Sequence, residues 1–119
     1  MNRALLAAGA IDGAIAVAAG AFGAHALKAR LTDKALAVFE TGARYQMYHA
    51  LAIVLCAVLV GGVAGARLSG WLFQAGIVLF SGSLYALALT DVKVLGAITP
   101  LGGLAFLAGW VWLAISALR

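Results

Sequence analysis

Apolar residues run almost unbroken through residues 4–27, 45–64, 68–89 and 100–118, and apart from Asp12 the charged side chains fall between those stretches or at the ends of the chain. A helix rises about 1.5 Å per residue, so about 20 apolar residues cross the roughly 30 Å of bilayer hydrocarbon. The pattern predicts an all-α membrane protein with four transmembrane helices. Because the gaps are short, consecutive spans run antiparallel, which gives an up-down-up-down bundle and a single integral-membrane domain over residues 1–119.

The gap between the first two spans has a pattern of its own. Thr32 can cap a helix whose first turn carries Asp33, favourable at the positive end of the helix dipole. Leu36, Phe39, Ala43 and Met47 then recur at helical spacing, while Lys34, Glu40, Thr41 and Arg44 lie elsewhere on the helix. The expectation is a short amphipathic interfacial helix between helices 1 and 2, with Glu40 and Arg44 paired, bending into the second span near Gly42. Gly61, Gly62 and Gly65 mark the turn to the third span, with Arg67 and Trp71 as interfacial anchors at its entrance. Thr99 followed by Pro100 signals the start of the fourth, and Trp110, Trp112 and Arg119 suit the interface at its far end.

Composition agrees: 66% hydrophobic and 10% charged residues leave no material for a soluble domain, which carries about 25% charged residues. Arg3, the first apolar run and Ala24-His25-Ala26 imitate a secretory signal with its cleavage site, but the run exceeds the usual 7–15 residues or so and contains Asp12, so it is read as the first span. The net charge of +4 is spread over the span ends, an anchoring pattern rather than the clustered stripe that nucleic acid requires. Lys28, Arg30, Lys34, Arg44 and Lys93 on one side outnumber Arg3, Arg67 and Arg119 on the other, which puts the first and third connections in the cytoplasm. Cys56 is the only cysteine and can form no intrachain disulfide. Gly9 and Gly13, one turn apart, allow a second backbone to approach, either within the bundle or in a self-associated pair.

Alternating topology gathers most of the polar residues at one membrane face: His25 from the first span; Tyr45, Gln46 and His49 from the second; Ser81, Ser83, Tyr85 and Thr90 from the third; and Thr99 from the fourth. Tyr45, Gln46 and His49 share one helical stripe, and His49 is expected about one turn below the interface. Polar groups at such depth need partners, so they face one another. Two readings stay open. The cluster is a hydrogen-bonded clamp, or it lines a half-membrane cavity in which His49 or His25 binds a small molecule or ion, or moves a proton. Asp12, about two turns from the opposite end, is a secondary candidate for proton or cation chemistry, or for a plain bond to Gln74.

Catalytic parts are missing. His25 and His49 with Glu40 have no recognised metal-ligand spacing. Ser81 and Ser83 have no nucleophile elbow or oxyanion hole, and Gly102-Gly103 lies in apolar helix rather than in a phosphate-cradling loop. We expect no catalytic residue, no metal and no cofactor, with membrane lipid and a second copy of the chain as partners.

Gly20-Ala21-Phe22-Gly23-Ala24-His25-Ala26-Leu27, Tyr45-Gln46 with His49-Ala50-Leu51, Phe80-Ser81-Gly82-Ser83-Leu84-Tyr85 and Ile98-Thr99-Pro100-Leu101-Gly102-Gly103 stand in this order along the chain. Together they resemble the small bacterial inner-membrane proteins called domain of unknown function 423, to which the animal transmembrane protein 256 is similar. The resemblance implies four helices in the bacterial cytoplasmic membrane, cytoplasmic termini in opposition to the charge count, and no assigned activity, cofactor or catalytic residue. Asp12 lies outside the resembling motifs.

Overall fold

A computed structural model describes all of residues Met1–Arg119. Four helices, each long and apolar enough to cross a membrane, run through it: α1 (Arg3–Leu27), α2 (Asp33–Leu59), α3 (Ala66–Thr90) and α4 (Lys93–Ala117). Asn2 opens α1 by accepting from the Leu5 N–H at 3.0 Å, and Thr32 opens α2 by accepting from the Ala35 N–H at 3.1 Å. These short side-chain acceptors satisfy backbone donors that no preceding turn can reach. Asp91 ends α3 in the left-handed region at φ 57°, a conformation aspartate tolerates better than most residues, and its N–H bonds the Leu87 carbonyl at 2.8 Å.

The expected short interfacial helix is not a separate element. Residues 33–44 are the first turns of α2, which continues unbroken to Leu59. Nothing in that stretch removes a backbone donor, so hydrogen bonding propagates straight through. Gly42, where a bend was expected, makes room instead: a β-carbon there would meet the Tyr85 ring at 3.0 Å. Glu40 and Arg44 do not pair, and the ion pair that forms is Lys93 with Asp91, 2.8 Å apart. Thr99 does not cap α4 either. α4 opens with a 3-10 stretch over Lys93–Ala97, its α-helical part runs from Thr99 to Ala117 with Pro100 in the first turn, and the Thr99 hydroxyl turns toward α3.

The bundle is flat, with principal extents of 49 × 26 × 18 Å. α2 packs along α1 on one side and α3 on the other, and α3 packs along α4. Half of α2's most apolar window is buried but only 17% of α4's, so α2 and α3 form the interior while the outer faces of α1 and α4 are left for lipid. The core is Leu5, Ile53, Cys56, Ala57, Phe73, Ile77 and Phe106. With no water to drive apolar surfaces together, close packing must hold the helices, and rings over glycines supply it between α3 and α4. Phe73 lies over Gly109, Phe106 over Gly76, and the backbone and β-carbon of Phe80 over Gly102. Gly9 does the same between α1 and α2, since a β-carbon there would lie 3.0 Å from the Ala50 carbonyl and 2.8 Å from Val54 Cγ2.

Two helices contain π-helical stretches, Ala18–Gly23 in α1 and Ile77–Ser81 in α3. A π turn holds an extra residue and re-phases the helix beyond it. In α3 the buried series Phe73, Ile77, Ser81, Leu84 and Ala88 faces the interior on both sides of the wide turn.

Candidate functional site

Gly42, Gln46, His49, Ile53 and Cys56 recur every three or four residues along the buried stripe of α2, so its polar side chains enter the bundle rather than lipid. Gln46, 3% exposed, uses both ends of its amide. Its Nε2 donates to the Asp12 carbonyl at 2.9 Å, and its Oε1 accepts from the Tyr85 hydroxyl at 2.8 Å, linking α1, α2 and α3. One turn earlier, Ser81 Oγ donates to the Gly42 carbonyl at 2.7 Å. Ser83 Oγ and Thr99 Oγ1 lie 2.5 Å apart and join α3 to α4.

His49 joins α2 to α4. Its Nδ1 lies 2.8 Å from the Tyr45 carbonyl, and Trp110 Nε1 lies 3.0 Å from its Nε2. A carbonyl can only accept and an indole N–H can only donate, so the arrangement requires the neutral ring with its proton on Nδ1. The Phe106 ring stacks on the imidazole at a centroid distance of 3.6 Å and an interplanar angle of 7°, with Phe73 tilted against it at 5.5 Å. Both nitrogens and the ring faces are thus engaged by the protein.

Of the residues singled out in the sequence, Gln46, Tyr85, Ser81, Ser83 and Thr99 form these interhelical bonds, but not as one cluster at one face. Because α2 starts at Asp33, His49 lies 16 residues into it, about 24 Å along the axis from its first residue. Tyr45 is exposed; it contributes its carbonyl to His49 and its ring to Phe80, with 4.9 Å between centroids. His25 is exposed in the last turn of α1, its ring makes no hydrogen bond, and it joins none of the others. Thr90 bonds its own helix at the Ala86 carbonyl. Asp12 is 7% exposed; its carboxyl approaches the Gln74 side chain without meeting hydrogen-bond geometry, and Asp12 Oδ2 and Gln74 Oε1 have no partner. The three main clefts of the surface include none of the residues bonded between helices in their walls. Trp110 and Phe106 were missed as partners of His49. A tryptophan late in an apolar helix has the signature of an interface anchor, whereas here its indole N–H bonds His49.

The chain matches the family model described as "Protein of unknown function (DUF423)" over residues 19–103. It is 49% identical over 114 residues to the UPF0382 membrane protein YwdK of Bacillus subtilis, covering 93% of each chain. It is 48% identical over 112 residues to the UPF0382 membrane protein SH2409 of Staphylococcus haemolyticus, covering 93% of this chain and 92% of the relative. No solved structure matches it.

Proposed function

Because the chain belongs to the DUF423 family, small multi-pass bacterial membrane proteins with no activity attached to the family's description, we propose that its polar residues serve the architecture and catalyse nothing. The protein is a helix-packing module of the cytoplasmic membrane. The observation that supports this reading best is the engagement of His49. A histidine that shuttles protons, ligates a metal or holds a ligand needs a free nitrogen, and here one faces a carbonyl and the other an indole N–H. Gln46 is likewise bonded at both ends of its amide within the bundle.

The partner of the outer helix faces is membrane lipid. Gly9 and Gly13 face α2 inside the chain, so a self-associated form would have to use other surfaces of α1 or α4.

The test is native mass spectrometry and unfolding of wild type beside His49→Ala, both released from lipid. On this reading the variant loses about 0.6 kcal/mol, the average worth of an intramembrane hydrogen bond, plus about 0.5–1.5 kcal/mol of ring packing, and both proteins carry the same adducts. A non-protein mass present in wild type and absent from an equally stable His49→Ala would sink the proposal in favour of a ligand site.

A further inference from the structure

Where α2 begins and α3 ends, the two helices and their connections enclose a cleft of about 600 Å³. Three cations, Arg30, Lys34 and Lys93, stand on its walls against one carboxylate, Asp91. Asp91 is already committed. Lys93 Nζ lies 2.8 Å from its Oδ1, and the hydrogen bond and charge of Lys93, with the charge of Lys34, hold its carboxyl below the usual carboxylate range. Arg30 and Lys34 form no ion pair of their own.

The cleft is also graded in polarity along the helix axes. Its charges lie at the helix ends, while Val38 lies about 6 Å further into α2 than Lys34 and Leu87 and Ala88 form the facing wall of α3. Two unpaired cations above an apolar wall match a molecule that is anionic at one end and hydrocarbon at the other. A soluble anion would have no use for the wall, and a zwitterionic lipid would bring an ammonium group up to the basic rim. We propose that this cleft binds an anionic phospholipid, with its phosphate between Arg30 and Lys34 and an acyl chain laid along Val38 and Leu87.

The experiment is lipid-adduct mass spectrometry of the intact protein equilibrated with mixed vesicles of equal phosphatidylglycerol and phosphatidylcholine. Wild type should retain phosphatidylglycerol preferentially. Arg30→Gln combined with Lys34→Gln should weaken that preference roughly 30-fold, the product of two basic contacts at the surface. Both side chains are exposed, so the fold is not at stake. Arg30→Lys with Lys34→Arg should keep the preference, as should Arg67→Gln at the opposite face. A preference that survives the double glutamine variant overturns the site, and so does equal retention of the two lipids. Inorganic phosphate that displaces the lipid and binds alone through the same two side chains overturns the lipid in favour of a soluble anion. An adduct lost with Arg30 and Lys34 but kept in His49→Ala belongs to this cleft and leaves the packing role of His49 standing.

Discussion

Replacing Gly102 by alanine sets the interlock of α3 and α4 against the intrinsic preference of a helix for alanine. That preference favours the variant by about 1 kcal/mol. Against it, the new β-carbon would lie 2.6 Å from Phe80 Cβ and 2.7 Å from Phe80 Cα, where carbon atoms sit best at about 3.5–4.0 Å. The obstacle is backbone as well as side chain, so no rotamer relieves it, and the helices must part by about 1 Å. A gap of that size forfeits a quarter to a half of each contact worth about 0.1–0.2 kcal/mol. Over the roughly 40–60 contacts of one large buried side chain, it costs about 1–6 kcal/mol. Overpacked cores lose about 1–3 kcal/mol, and set against the helix preference the net expectation is a loss of up to about 2 kcal/mol. Gly82→Ala is the internal control, because nothing lies within 4 Å of its added carbon, and it should gain about 0.5–1 kcal/mol. Reversible unfolding in mixed micelles reads both. If Gly102→Ala gains as much stability as Gly82→Ala, the close approach of α3 and α4 is refuted.

Tyr85→Phe keeps the ring over Gly42 and removes only the bond to Gln46, so it should cost about 0.6 and at most about 1.7 kcal/mol by the same unfolding assay; in a Gln46→Met background the same change should cost nothing. Asp91 should titrate below an ordinary aspartate, and Lys93→Gln should raise its midpoint in carbon-13 spectra. Since the depressed group favours the folded state only while ionised, its small contribution is present above the unfolded carboxylate range and disappears as pH falls through the folded midpoint. Cys56 is fully buried, so a maleimide should label it only after unfolding, as read by intact mass.

The four spans, the Thr32 cap, the glycine turn at Gly61-Gly62 and Pro100 in the first α-helical turn of α4 are all legible in the sequence, because each depends on local backbone chemistry or on span length. The bonds of Gln46 to Tyr85 and Ser83 to Thr99 are half legible. Topology brings their helices together, and a lack of alternative partners in lipid does the rest. The bond of His49 to Trp110 was not, because a tryptophan late in an apolar helix reads as an interface anchor. Nor were the seats at Gly76, Gly102 and Gly109, whose meaning depends on which ring arrives from the neighbouring helix. The π turns carry no compositional mark at all.

The bonds between the two halves of the molecule have a direction. Those that cross from the first pair of helices to the second have their donors on α3 and α4, at Tyr85, Ser81 and Trp110, and their acceptors on α2, at Gln46, Gly42 and His49. Within each pair, Gln46 gives its N–H to α1 and Ser83 shares a bond with Thr99. Two copies of the first hairpin would oppose acceptor to acceptor, so it recognises its complement and refuses its twin. A chain severed in the connection at residues 60–65 and expressed as two fragments should reassemble one to one, as a plug meets a socket.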